Sequence, residues 1–91
     1  MKRVHVIIKG LVQGVFFRAF LKYHADRLKI KGWVKNTASG DVEAVFEGEE
    51  KAIQEILKLA RKGPRHAVVK ELIVKEEPYA NEFSNFEILY E

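Results

Sequence analysis

The first residues that could do chemistry lie at positions 10–18, where a glycine-containing loop runs into the predicted start of a helix. The first backbone N–H groups of a helix have no partner inside it, and the positive end of the helix dipole lies beside them. Such a group of donors suits a phosphate. Many glycine loops only turn the chain, so the loop pattern alone is compatible with an anion site or with a simple turn.

Arg18 falls in the first turn of that helix, where a cation meets the dipole unfavourably, by about 0.3–1 kcal/mol. A bound anion would remove this conflict, and the planar guanidinium matches two phosphate oxygens. Alternatively, Arg18 begins a solvated stripe that continues with Lys22, Asp26 and Lys29. The residues alone leave both interpretations open.

Asn36 ends the predicted second strand, just before a tight connection that contains Gly40. Its carboxamide offers both a donor and an acceptor, so it can orient a water molecule toward a phosphorus atom. An asparagine before a turn more often satisfies the local backbone, and that alternative also stays open.

The elements that position these side chains follow from hydrophobic periodicity. Alternating Val4, Val6 and Ile8 predict a first strand, and residues 10–14 then predict a loop. Apolar residues at helical spacing, such as Phe17, Leu21 and Leu28, predict the first helix. The predicted strands cover residues 3–9, 31–36, 41–47, 67–76 and 86–90, and the predicted helices cover residues 15–30 and 49–62.

This order, βαββαβ with a short C-terminal strand, predicts a single α+β domain over residues 1–91, a ferredoxin-like split βαβ sandwich. Right-handed crossovers place both helices on one face of an antiparallel sheet. With the third strand between the first and second, the loop after strand one and the end of strand two emerge at one rim, roughly 10 Å apart. A phosphate-sized ligand there could be reached from both sides.

Composition limits the classes of function. The 91 residues include no cysteine, which excludes disulfides and thiolate chemistry. No apolar run approaches the roughly 20 residues that span a bilayer, so we expect a cytoplasmic protein without membrane contact. A net charge of +3 favours anionic ligands but is too small to indicate nucleic acid. The three histidines, His5, His24 and His66, lack metal-ligand spacing.

Two stretches together resemble the acylphosphatase family. Residues 10–18, Gly-Leu-Val-Gln-Gly-Val-Phe-Phe-Arg, are similar to its first signature, glycine-x-valine-glutamine-glycine-valine followed by an aromatic residue and an arginine. Residues 32–36, Gly-Trp-Val-Lys-Asn, followed by Gly40, Val42 and Gly48, are similar to its second. Both fit with their full spacing, and the resemblance covers essentially the whole chain.

The resemblance implies a metal-independent hydrolase that cleaves the carboxyl–phosphate bond of a small-molecule acyl phosphate, without a cofactor. It implies that Arg18 binds and stabilises the phosphoryl group and that Asn36 holds the attacking water. Inorganic phosphate or sulfate would compete with the substrate, and we expect a monomer. The implied backbone cradle for the phosphate consists of Gly14, Val15, Phe16, Phe17 and Arg18.

The leaving group favours the same substrate class. A carboxylate, whose conjugate acid has a pKa near 4, departs without being protonated. A phosphate monoester would release an alkoxide and would usually need a general acid or a metal ion. The sequence offers no clear acid at the predicted rim, which favours an acyl phosphate over an ester.

Three other classes of protein share this topology or motif. RNA-recognition modules share this topology, but they need basic and aromatic residues on the central strands, where this chain carries Asp41, Glu43 and Glu47. A regulatory module that binds phosphate without turnover stays open. Acylphosphatase-like modules also occur inside larger carbamoyl-transferring proteins, although the length of this chain favours a separate protein.

Overall fold

The computed structural model describes residues 1–90 as five strands and two helices. The strands lie in the order β4-β1-β3-β2-β5 across one sheet. In chain order the elements are β1 (Lys2–Leu11), α1 (Phe17–Arg27), β2 (Lys31–Asn36), β3 (Val42–Gly48), α2 (Glu50–Lys62), β4 (Val68–Glu77) and β5 (Phe86–Leu89).

The sheet confirms the predicted arrangement around β1 and β2. Strand β3 lies between them and is antiparallel to both, and β4 pairs with the free side of β1. The C-terminal strand β5 pairs in parallel with β2, with Lys35 opposite Leu89, which makes the five-stranded sheet mixed. Because of this pairing, β5 ends beside the end of β2, where Asn36 lies.

One hydrophobic core joins the sheet to both helices, which confirms the predicted sandwich. Alternate residues of β1 are buried, and α1 and α2 pack against each other and against that face of the sheet. Each large apolar side chain buried there stabilises the fold by about 1.5–3 kcal/mol. The largest fully buried side chains are Phe17, Phe46, Phe86, Ile8, Leu21, Ile53 and Ile56.

The first helix is shorter than predicted at both ends. It begins at Phe17 because Phe16 has a left-handed backbone, with φ of 64°. It ends where Lys29, with φ of 59°, donates its N–H to the carbonyl of Asp26 and Ile30 donates to that of Ala25, a Schellman motif. Apolar spacing does not report backbone handedness, which explains the error. Within residues 1–90, no helix is long and apolar enough to cross a membrane.

The predicted loop at residues 10–14 begins too early, because β1 continues to Leu11. Gly10 lies inside the strand with φ of 133°, and a Cβ built there would come within 2.1 Å of the carbonyl oxygen of Val68 on β4. Glycine therefore permits a close approach between two strands, at the point where their register shifts. The loop itself consists of residues 12–16. The other predicted bounds of helices and strands agree with the structure or differ from it by one residue.

An ion-pair cluster fixes the segment that leads from β4 to β5. The Arg3 guanidinium contacts the carboxylates of Glu77, at 2.9 Å, of Glu47, at 3.3 Å, and of Glu82. These hydrogen bonds, that with Glu82 foremost, raise the pKa of Arg3 above its ordinary value. The Glu47 carboxylate also accepts a hydrogen bond from the backbone N–H of Ala80 at 3.1 Å. The cluster thus anchors the connection that delivers β5 to the edge of β2.

Replacing Gly10 with alanine should destabilise the fold strongly, by about 3 kcal/mol or more. The cost of the positive φ angle is added to the cost of the clash with the β4 backbone. Gly40→Ala is the matched control: its φ is also positive, at 93°, but a Cβ there meets no atom within 4 Å. It should cost only about 1–2 kcal/mol. Urea denaturation of both variants measures the difference. If both variants lost the same free energy of unfolding, the close approach of β4 would not be the reason that position 10 requires glycine.

Candidate active site

Backbone handedness alternates through the loop between β1 and α1. Gly14 and Phe16 have positive φ, at 76° and 64°, whereas φ is negative at Val15 and Phe17. Such alternation turns successive N–H groups toward one side and forms a concave anion-binding nest. A left-handed conformation costs a non-glycine residue such as Phe16 about 1–3 kcal/mol. Core packing does not offset this cost, since the Phe16 side chain is 83% exposed.

The N–H groups of this nest have no acceptor in the part of the chain that the structure describes. Within residues 1–90, the N–H groups of residues 14–19 make no hydrogen bond, and the first N–H to do so is that of Phe20, which donates to the carbonyl of Phe16 at 3.0 Å. No described side chain caps α1, and the first turn of the helix contains no acidic residue. Among the described residues, the positive end of the helix dipole therefore faces the loop without a negative partner.

Arg18 is the second residue of α1 and is half-buried. Among the residues that the structure describes, no carboxylate or other acceptor lies in contact with its guanidinium. Its neighbour is an aromatic ring: the guanidinium carbon lies 5.0 Å from the ring centre of Tyr90. One turn further along α1, Lys22 forms an ion pair with Asp26 at 3.1 Å. The predicted solvated stripe thus contains an ion pair, but Arg18 does not take part in it. The guanidinium donors remain available to an anion.

Asn36 is the last residue of β2 and is half-buried. Its carboxamide makes no hydrogen bond within the described part of the chain. The turn that follows is held by Thr37 instead: the Thr37 N–H donates to the carbonyl of Asp41 at 2.9 Å, and the Asp41 N–H donates to Thr37 Oγ1 at 3.1 Å. Since Thr37 satisfies the local backbone, the amide of Asn36 is left for another partner.

Gln13 ties the loop to the turn that follows Asn36. Its amide nitrogen donates to the carbonyl oxygens of Thr37 and Asp41, both at 2.8 Å. Gln13 belongs to the first of the two signature stretches, but the sequence predicted no role for it. Its partners lie 24 and 28 residues along the chain and are backbone atoms, so no residue pattern could have identified them.

These elements bring the predicted residues to one cavity of about 290 Å³. Val15 is the exception, because its side chain packs against the core; its predicted contribution is a backbone N–H. A second cavity, of about 390 Å³, shares Arg18, Asn36 and Tyr90 with the first. Within residues 1–90, no group of three or more potential metal-binding side chains occurs. The lining of the first cavity is Val12, Gly14, Phe16, Phe17, Arg18, Ala19, Asn36, Ile88 and Tyr90.

Four of the lining residues were missing from the predicted site. Val12 and Ala19 flank the predicted cradle, whereas Ile88 and Tyr90 are distant from it in the chain. Both come from the C-terminal segment, which the sequence placed in a short strand without a partner in the sheet. The parallel pairing of β5 with β2 is a long-range feature, and only this pairing brings Tyr90 beside Asn36. The alternating pattern places Phe86, Ile88 and Tyr90 on one face of the strand, and this is the only feature of the sequence that could have pointed to Ile88 and Tyr90 as site residues.

Comparison with known proteins identifies the family. The family model described as Acylphosphatase matches residues 4–88. The chain belongs to the acylphosphatase family. It is 52% identical to an acylphosphatase of Syntrophus aciditrophicus over 91 residues, which is 100% of this chain and 95% of that protein. The predicted enzyme class, a hydrolase of the acylphosphatase type, is thereby confirmed.

Solved structures agree with this assignment. The fold is similar to the crystal structure of acylphosphatase from Bacillus subtilis, with a TM-score of 0.95 and 37% identity, covering 99% of this chain and 100% of that one. It is also similar to part of full-length HypF in its phosphate- and nucleotide-bound form, with a TM-score of 0.88 and 33% identity. That match covers 98% of this chain and 12% of HypF.

The Gln13 bridge predicts a coupled loss of stability and activity. In Gln13→Met the side chain keeps its length but loses both donated hydrogen bonds, so the free energy of unfolding should fall by about 1–3 kcal/mol. Turnover of acetyl phosphate should fall as well, because the loop and the end of β2 lose their fixed spacing. The same change at exposed Gln54 on α2 is the control and should alter neither quantity. Unchanged turnover in folded Gln13→Met would show that the bridge does not hold the site together.

Proposed function

We propose that the phosphoryl group of an acyl phosphate binds in the nest formed by residues 14–18. The observation that supports this most strongly is the alternating handedness at Gly14 and Phe16, which leaves several N–H donors beside Arg18 without an acceptor among the described residues. A phosphoryl group would accept these hydrogen bonds and would neutralise both the helix dipole and the guanidinium. The protein's task in phosphoryl transfer is mainly to position the reactants and to stabilise spreading charge.

In this proposal Asn36 orients the attacking water. Its carboxamide makes no hydrogen bond within residues 1–90, and it lines the same cavity as the nest. The carbonyl oxygen accepts a hydrogen bond from the water and directs the water's lone pair toward phosphorus. Because the phosphate is held on the loop side and the water on the β2 side, attack can proceed in line with the leaving oxygen.

Bond cleavage then needs no acid from the protein. The water oxygen bonds to phosphorus, the bond from phosphorus to the acyl oxygen breaks, and a carboxylate leaves with the electron pair. The water's proton passes to an oxygen of the substrate's own phosphate. The residues that line the cavity include no carboxylic acid and no histidine, which suits a leaving group of low pKa. Inorganic phosphate and sulfate would compete for the nest, and the monomeric state and cytoplasmic location stay predictions.

Removal of the guanidinium tests the anion site. Arg18→Ala should lower kcat/KM for acetyl phosphate by at least the ~10²–10³-fold typical of one anion-stabilising donor. Inhibition by inorganic phosphate should weaken in parallel. Arg65→Ala, at an exposed arginine elsewhere, is the control for the change in net charge and should retain activity. Phosphate release is measured with a chelator present; nearly normal turnover by Arg18→Ala would overturn the proposed role.

Removal of the carboxamide should separate catalysis from binding. Asn36→Ala should reduce kcat by about 10²-fold, a loss comparable to that of one positioned hydrogen-bonding group. The inhibition constant of inorganic phosphate should stay within about two-fold of the parent value, since the nest is intact. Asn85→Ala, at an exposed position, is the control. A parallel loss of phosphate affinity would mean that Asn36 binds the anion and does not hold the water.

A further inference from the structure

The aromatic ring of Tyr90 lies against the Arg18 guanidinium. The guanidinium carbon lies 5.0 Å from the ring centre, within the range of a cation–π contact. A carboxylate partner would occupy the N–H groups that a phosphate needs. An aromatic face attracts and orients the planar cation without accepting hydrogen bonds in its plane, so the donors stay free.

Two contacts place the ring of Tyr90. The parallel pairing of Lys35 with Leu89 sets the height of β5 along β2, so Tyr90 follows at the level of Asn36. At the other end of β5, Lys22 donates from Nζ to the carbonyl of Phe86 at 3.0 Å. Lys22 follows Arg18 by one helical turn, so both lie on one side of α1. Helix and strand are therefore joined at two points, and the second is Arg18 against Tyr90.

The ring does little for the core. Tyr90 is 78% exposed, whereas Phe86 on the same face of β5 is 1% exposed. An exposed ring that covers one cation contributes little to folding, because little apolar surface leaves water. Its contact with Arg18 is then the interaction that changes most when the ring is removed.

We propose that Tyr90 is a positioning residue for the phosphate-binding guanidinium: its ring holds Arg18 beside the nest while leaving the N–H donors free for the substrate. The proposal rests on the proposed function of Arg18. Without the ring, an unpaired arginine at a helix start is repelled by the dipole and spends part of its time turned into solvent. Substrate would then have to restore the orientation, at a cost to affinity.

Three variants test this proposal. Tyr90→Leu should weaken inhibition by inorganic phosphate and lower kcat/KM for acetyl phosphate, each by about two- to five-fold, as expected for an exposed cation–π contact. Tyr90→Phe keeps the ring and should restore both values. Tyr79→Leu, away from the cavity, is the control and should change neither. The melting temperature should be alike in all three, which separates positioning from loss of structure.

Two further measurements decide how Tyr90 acts. In the Arg18→Ala background, Tyr90→Leu should cause no additional loss of kcat/KM, since the group that it positions is absent. The side-chain Nε–H resonance of Arg18 should be shifted by the ring current in the parent and in Tyr90→Phe, and should lose that shift in Tyr90→Leu.

The outcomes distinguish the two levels of the proposal. An unchanged Tyr90→Leu enzyme, a loss in Tyr90→Phe as large as in Tyr90→Leu, or an equal loss in the Arg18→Ala background would each overturn the positioning role. In those cases the proposed function of Arg18 would still be tested separately, by the phosphate affinity of Arg18→Ala. If Arg18→Ala retained normal phosphate affinity, the proposed function of Arg18 would fail and the role of Tyr90 would fail with it.

Discussion

Left-handed backbone at Gly14 and Phe16 is the constraint on which the candidate site depends. If α1 began two residues earlier, the N–H groups of the loop would lie along a helical turn and the hollow would disappear. Gly14 adopts its conformation without cost, but Phe16 bears strain and an exposed ring. In the proposed function a bound anion would offset that strain, because its charge would meet the N–H groups of the nest, the helix dipole and a guanidinium at once.

The rest of the fold holds the second half of the site against this nest. Placing β3 between β1 and β2 brings the end of β2 to the same rim as the loop, and Gln13 fixes the two by bonding across the gap. The edge strand β5 adds a third side, and the Arg3 cluster anchors the segment that delivers it. Hydrolysis of an acyl phosphate suits such a site, since positioned donors and one oriented water suffice when the leaving group is a carboxylate.

Local patterns were enough to predict the element order, the sandwich and the rim that unites Arg18 with Asn36. Helix α1 was predicted too long, because apolar spacing continues through Val15 and Leu28 while backbone handedness at Phe16 and Lys29 ends the helix. The site was incomplete for a related reason. The bonds of Gln13 go to distant carbonyls, and the approach of Tyr90 to Arg18 depends on sheet pairing at the C-terminus, so neither has a signature in residue spacing.

The most direct test of the nest is an amide NMR titration of the ¹⁵N-labelled protein with inorganic phosphate, compared with chloride at matched ionic strength. A phosphate that accepts hydrogen bonds from the loop should produce large, saturable shifts at the N–H signals of residues 14–18, with one dissociation constant that agrees with inhibition of turnover. Shifts confined to surface lysines, or equal responses to phosphate and chloride, would contradict the account.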